Sequence, residues 1–416
     1  MVTWFATSSP NLSESCWRRG AILPCRPQAP NQTSVTHYDV IVLGLGGMGS
    51  AAACHLASRG QRVLGLEQFT PPHSHGSSHG RTRVIRQAYF EHPAYVPLLQ
   101  RAYELWHRLE RDTDRQLLLL SGGLMMGGPT SEVVEGSLRS AREHGLAHQL
   151  LDANAIRKRF PNFLIPDDTI GLFEESAGIV YCEQAIESHL AVAARCGAQL
   201  HFEEPVLEWI ARDNGSVEVR SAREVYTAEK LIITPGPWAP RTLADLGLPL
   251  TVERQVLFWF RPARDSASFA PGPFPIYIWQ PLGRSILYGF PAVDGPEGSV
   301  KVAFFRKPAS ESCTPETADR RVREDDIEEI RAALRDFLPA LDGELVFATT
   351  CLYTLTPDLN FVIGPHPAHP QVTIAAGFSG HGFKFCSVVG ELLAELSTDG
   401  RTGKDISLFD PRRFSS

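Results

Sequence analysis

The 416 residues predict an α/β (in full, α+β) protein of two domains, an open parallel sheet flanked by helices and an inserted domain built on an antiparallel sheet. Three observations carry that expectation. The organised part of the chain opens on a continuous apolar run at 40–43, then a helical stretch, then a second strand at 62–66, as in a parallel sheet covered on both faces. The middle of the chain changes texture: "RQVLFWFRP" (254–262) and "SILYGFP" (285–291) read as strands of an antiparallel sheet. The first texture then returns, with a buried strand at 373–377 and a helix with one apolar face from Ser387.

These changes divide the chain. One domain is expected to be discontinuous, residues 37–122, 181–245 and 346–410; the insertion takes 123–180 and 246–345. The chain is longer than one hydrophobic core usually serves. Residues 1–36 are rich in Ser, Pro, Asn and Thr and show no periodicity, which predicts a disordered extension. They lack the uninterrupted apolar core of a secretory signal; three arginines against one glutamate only loosely resemble a transit peptide. The acidic, Arg-rich run 315–337 reads as a solvated helical face.

Bulk properties exclude several function classes. Net charge is −7 with a pI near 6.1, and no lysine-rich run offers a footprint for nucleic acid or an anionic membrane. No stretch approaches the ~20 apolar residues of a membrane helix. The eight cysteines are scattered without Cys-x-x-Cys or zinc-type spacing, so a soluble, reduced, cytoplasmic chain is expected. The C-terminal "RRFSS" is not a peroxisomal tripeptide.

After the first strand comes Gly44-x-Gly46-x-x-Gly49, then the helix, the second strand and Glu67, 21 residues beyond Gly46. Such glycines permit a tight turn and close approach of backbone to a pyrophosphate, which the helix N-terminus then faces. An acid at that distance meets ribose hydroxyls and disfavours a 2′-phosphate, so NAD or FAD is expected rather than NADP. The motif does not choose between those two.

The segment after Glu67 is unlike that of a plain nicotinamide enzyme. "QFTPPHSHGSSHGRTRVIRQAY" is a loop of small polar residues with His73, His75 and His79, then Arg83 and Arg86. No carboxylate or cysteine lies among the histidines, which argues against a metal. If the arginine segment is helical, the i, i+3 spacing puts both on one side. Val84, Ile85 and Ala88 share the segment, so burial of at least one arginine is expected.

The opening "HYDVIVLGLGGMGSAA…LEQFTPPHSHGSSHGRTRVIRQAY" resembles the monomeric sarcosine oxidase family of flavoenzymes. That family includes N-methyl-L-tryptophan oxidase and peroxisomal sarcosine/pipecolate oxidase. The resemblance continues in "ESAGIVYCEQAI", "IITPGPW", "ILYGFP", "TTCLYTLTPDLNFVIGPHP" and "IAAGFSGHGFKF". It implies a D-amino-acid-oxidase-like (glutathione-reductase-like) flavoprotein fold, a monomer, and FAD bound covalently through Cys351 of the Cys-x-Tyr-Thr motif. It further implies FAD contacts from Gly44, Gly46, Gly47, Met48, Gly49, Glu67, Gln68, Ser78 and Thr82, and an adenine contact from the Val206 backbone. His79 and Arg83 would line the flavin. The turn Gly377, Gly380, His381, Gly382 would wrap its pyrimidine end.

For catalysis the resemblance implies that Arg86 and Lys384 clamp the substrate carboxylate, that Tyr288 and Tyr353 wall the pocket, and that Lys301 activates O₂. The activity implied is oxidation of a secondary α-amino acid by hydride transfer to flavin N5, imine hydrolysis and release of H₂O₂. Lys384, wedged between Phe383 and Phe385, is expected to be paired only when an anionic substrate is bound. Two positions depart from the family pattern: Phe305 stands where relatives carry histidine, and Arg81 where several carry aspartate. The first makes the pocket more apolar, so sarcosine is not the expected preferred substrate. Open alternatives are a flavin dehydrogenase with an acceptor other than O₂, an oxidase of cyclic imino acids such as pipecolate or proline, an NAD-dependent dehydrogenase, and a flavin-binding subunit without turnover.

Overall fold

The computed structural model describes residues 37–293, 298–307 and 310–414. The expected extension, 1–36, lies outside them.

Around strand His37–Leu43 the expected parallel sheet forms. It pairs in parallel with Val63–Leu66 on one side and Val225–Ile233 on the other; Gln199–His201 and His369–Ala376 extend the parallel set. An antiparallel edge, Val206–Ala211 and Val217–Ser221, continues it. Alternation along the first strand divides two cores. Val40 and Val42 face helices Gly47–Ser58, Val96–Thr113, Cys182–Arg195 and Cys386–Asp399, while Ile41 faces Val217, Val219 and Leu231. The first and last of those helices cross closely: a Cβ on Gly390 would come within 2.5 Å of Ala51. That crossing holds the first turn of the glycine-motif helix against the C-terminal turn of the chain.

The second sheet has nine strands among the described residues, seated on a core that includes Phe163, Phe274, Tyr277, Trp279 and Leu334. Helix Glu324–Phe337 covers it with Ile330, Ala333 and Leu334 and turns its acidic face outward, as the 315–337 run suggests. The sheet is not wholly antiparallel: Gly123–Gly127 and Ile276–Gln280 run parallel. The chain visits the other domain between these two strands, so no hairpin dictates their relative direction.

Two sequence expectations are corrected by the structure. Strand Leu345–Leu355, expected in the discontinuous domain, pairs antiparallel with Thr251–Phe260 in the second sheet. Cys351 and Tyr353 therefore stand on the inserted sheet, opposite Gln255 and Glu253, and reach the cavity from there. Burial along it does not alternate, running from a half-exposed start to five consecutive buried residues, Thr350 to Thr354, so no period-2 pattern says which sheet it joins.

The arginine segment is not helical. Thr82–Ile85 is a strand in a small three-stranded sheet with Gly178–Tyr181 and Leu118–Leu119. Arg83 and Arg86 consequently do not share a helix face. The turn before the strand is left-handed at Gly80 and Arg81 (φ 89° and 69°), and the Glu183 carboxylate fixes it by accepting from both backbone N–H groups at 2.8 and 3.0 Å. Among the described residues no helix is long and apolar enough to cross a membrane.

Candidate active site

A cavity of about 670 Å³ runs from the glycine turn to the second sheet. At its first end, Gly44 has φ +86°, and a Cβ there would lie 2.4 Å from the Thr234 carbonyl oxygen. A Cβ on Gly49 would sit 1.7 Å from the Gly44 carbonyl, so only glycine fits at either position. The N-cap residue Gly46 has no side chain to cap the helix, and of the first-turn N–H groups Gly47 N donates to Ser78 Oγ at 3.4 Å. Gly46, Gly47 and Met48 line the cavity, so the helix presents its N-terminal partial charge there. Glu67 is 5% exposed; its carboxylate accepts from Leu45 N at 2.8 Å and Phe69 N at 3.2 Å. This ties strand end, turn and acid into one cradle, which suits a pyrophosphate beside a ribose diol.

Farther along, Arg83 is held by the carbonyls of Ser77 (2.9 Å), His79 (2.6 Å) and Thr82 (2.8 Å). Its guanidinium lies 3.9 Å from the Cys351 sulfur and 3.9 Å from that of Cys182. Lys301 is fully buried beneath this strand, with Nζ donating to the carbonyls of Gly80 (2.6 Å) and Thr82 (2.8 Å). His79 is buried too; burial, reinforced by Arg83, drives its imidazole down to about 3, so it is neutral. Tyr288, Phe305 and Tyr353 form one wall, with Phe305 edge-on to both tyrosines at ring separations of 6.4 and 6.3 Å.

The far end carries the charge. Arg86, 1% exposed, donates to Glu91 Oε2 at 2.6 Å and stacks over Tyr89 and Phe90 at 4.3 and 4.5 Å. Lys384 Nζ also lies near Tyr89, 5.1 Å from its ring centroid, and donates to the His381 carbonyl at 2.8 Å. Arg306 Nη2 stands 3.9 Å from Glu91 Oε1. Burial would raise the Glu91 carboxyl, but Arg86 and its fellow cations outweigh that and hold it at about 2. Burial, then repulsion from Arg86, pulls the Lys384 ammonium down to about 7. His381 Nε2 faces the Leu359 carbonyl at 2.9 Å, so it bears the proton, and Nδ1 accepts from Tyr89 O–H at 2.5 Å.

Most of the residues singled out from sequence meet around this cavity. Gly44, Gly46, Gly47, Met48, Glu67, Gln68, Ser78, Arg83, Arg86, Val206, Tyr288, Tyr353, Gly377, Gly380, His381, Gly382 and Lys384 line it. Gly49 packs against the Gly44 carbonyl, and His79, Thr82, Lys301 and Cys351 are buried behind the lining. One expectation changes. Lys384 has a partner without substrate, the His381 carbonyl, because a buried ammonium left bare is too costly. Arg86 is ion-paired with Glu91, and sequence reasoning singles out neither Glu91 nor Arg306. Glu91 follows Arg86 by five residues in "RQAYFEHP", a lone acid in an apolar segment, which is the one cue it leaves.

Comparison with known proteins decides between nicotinamide and flavin. The FAD dependent oxidoreductase (DAO) family profile matches residues 39–396. Monomeric sarcosine oxidase of Streptomyces avermitilis is 53% identical over 91% of this chain and 98% of its own length. Peroxisomal sarcosine oxidase of Homo sapiens (33%; 91% and 97%) and N-methyl-L-tryptophan oxidase of Escherichia coli (34%; 91% and 99%) also match. The chain belongs to the monomeric sarcosine oxidase family of FAD-dependent oxidoreductases. Among solved structures, NikD, an amino acid oxidase, aligns with a TM-score of 0.78 at 26% identity, covering 90% of this chain and 97% of its own. FAD fits the residues present: the Cβ-free turn and Glu67 suit its ADP half, and the cavity continues past Arg83 to the aromatic wall with room for a ring system.

The depressed Lys384 gives a pH signature. Its ordinary value is 10.5 and its value in this site about 7, so above pH 7 the amine is neutral until an anion arrives. A carboxylate that favours the ammonium must then draw in a proton. The Kd of the holoenzyme for acetate should be flat below pH 7 and rise up to about tenfold per pH unit above it. Lys384→Met should abolish the rise, and a Kd independent of pH between 6 and 9 in the unmutated protein would refute the assignment.

Proposed function

We propose that this chain is an oxidase of N-methyl or other secondary α-amino acids that holds FAD covalently through Cys351 and uses O₂. The single observation that carries the reading is the buried pair Arg86 and Lys384 at the end of an aromatic-walled cavity whose other end is a dinucleotide cradle. Bound FAD supplies the two-electron acceptor, which O₂ reoxidises with release of H₂O₂.

The chain's own residues supply position and field. Arg86 and Lys384 take the substrate carboxylate, a charge-assisted contact strong in a dry site, and so set the neighbouring C–N bond at one place along the cavity. Tyr288, Phe305 and Tyr353 exclude water from the amine and its α-substituents and favour the neutral amine by low polarity. Arg83, fixed by three carbonyls, places its guanidinium 3.9 Å from the Cys351 sulfur that would carry the flavin. Lys301, locked on two carbonyls, presents a fixed positive charge that stabilises developing negative charge during reaction with O₂. The phenyl ring of Phe305 leaves no imidazole in the wall, which favours substrates with apolar substituents over sarcosine.

The test is peroxide release by the holoenzyme over a panel of sarcosine, N-methyl-L-alanine, N-methyl-L-tryptophan, pipecolate and proline. Turnover of at least one with stoichiometric H₂O₂ is expected, and bleaching of the flavin without peroxide would replace the oxidase reading with that of a dehydrogenase. Lys301→Met should slow the oxygen step while anaerobic bleaching keeps its rate; equal slowing of both would refute the lysine's role.

Covalent attachment has its own test. Acid-precipitated polypeptide should be yellow in the unmutated protein, and Cys351→Ser should release its colour to the supernatant. Colour released from both would show the flavin to be held without a bond to sulfur.

A further inference from the structure

The ion pair between Arg86 and Glu91 poses a problem for any reading in which Arg86 binds substrate, and the inference rests on that reading. If Arg86 turns to a carboxylate ligand, Glu91 loses the donor it holds at 2.6 Å while remaining buried. An uncompensated buried carboxylate costs several kcal/mol, which would be subtracted from the binding of every substrate.

A second cation is in place to remove that cost. Arg306 follows Phe305 at the end of strand Val300–Phe305, with a left-handed backbone (φ 49°) that a non-glycine residue adopts only when something holds it there. Two contacts hold it: a hydrogen bond from Nε to the Ser379 carbonyl at 3.2 Å, and stacking of the guanidinium on the Phe305 ring at 4.5 Å. The other end, Nη2, points to Glu91. Among the described residues Arg306 Nη2 and Glu91 Oε1 are both buried without a hydrogen-bond partner, and they stand 3.9 Å apart. Arg86 uses only the other oxygen, Oε2. Two unsatisfied atoms of opposite charge, just beyond hydrogen-bond reach, form a pair that a small rotation of the carboxylate would close.

We infer that Arg306 is a positioning residue that takes over Glu91 when a carboxylate ligand engages Arg86. Glu91 then exchanges one guanidinium for another and is never left bare. In the ligand-free protein the same carboxylate neutralises Arg86, which offsets the repulsion among Arg86, Arg306 and Lys384.

The test is a double-mutant cycle read by acetate binding to the holoenzyme, monitored by the flavin absorbance shift, with acetamide as the uncharged control and flavin content and melting temperature checked for each variant. Arg306→Gln should raise the acetate Kd at least about tenfold and leave acetamide unaffected. In a Glu91→Gln background the same change should cost less than about twofold, because no carboxylate needs rehousing. Arg306→Lys should restore part of the affinity. An equal effect in both backgrounds, or no effect in either, would overturn the inference. Should Arg306→Gln fail to fold, Arg306→Lys decides in its place: it should weaken acetate binding with Glu91 present and not in the Glu91→Gln background, and an equal effect in both would count against the exchange. Arg86→Gln separates the layers. If it weakens acetate while Arg306→Gln does not, only the exchange is wrong; if it too has no effect, the carboxylate clamp itself is wrong.

Discussion

Burying positive charge inside a protein is costly unless a partner is buried with it, and this molecule gathers Arg86, Arg306 and Lys384 around one carboxylate, Glu91, at the end of an apolar cavity. The surrounding structure can be understood as what keeps that cluster tolerable. Arg86 and Lys384 both lie over the Tyr89 ring, 4.3 and 5.1 Å from its centroid. The carbonyls of Ala88, His381 and Ser379 accept from Arg86, Lys384 and Arg306 in turn. What remains is excess positive charge in a dry site, and an anion is its natural complement.

The other end of the cavity obeys a different constraint, space. The turn at Gly44 and Gly49 has no room for a Cβ, so the backbone itself comes to the ligand. Phe383 closes over Gly47 at 3.0 Å from where its Cβ would be, which brings the C-terminal turn into contact with the N-terminal one. Trp106 fixes that turn from behind by donating its indole N–H to the Lys384 carbonyl at 2.9 Å. The cation cluster and the cradle thus share a frame: the helix that begins at Cys386 both crosses the glycine-motif helix and carries the turn bearing Lys384.

Much of this is legible in sequence because it depends on local pattern. Gly44, Gly46, Gly49 and Glu67 succeed one another in strand–turn–helix–strand order, and the motifs around Cys351 and Gly377–Gly382 carry much of the resemblance to the flavoenzyme family. The features that escape sequence reasoning depend on long-range pairing. The membership of Leu345–Leu355 in the second sheet is set by its partner Thr251–Phe260, a distant segment of the chain. Glu91 and Arg306 are an ordinary acid and base until two sheets bring them to 3.9 Å. Arg83 and Arg86 read equally well on a helix, and only pairing with Gly178–Tyr181 makes their segment a strand. Phe305, noticed for its missing imidazole, has a second role that no pattern shows, as the surface on which Arg306 stacks.

The central claim is that a substrate is held by its carboxylate, and it is tested most directly by removing that group and nothing else. The measurement is peroxide-coupled kcat/KM for the best N-methyl amino acid of the panel and for the secondary amine obtained by decarboxylating it. Two charge-assisted contacts in a buried site amount to roughly 3 to 6 kcal/mol, so the amine should be at least about a hundredfold poorer. Comparable kcat/KM for the two compounds would contradict the account.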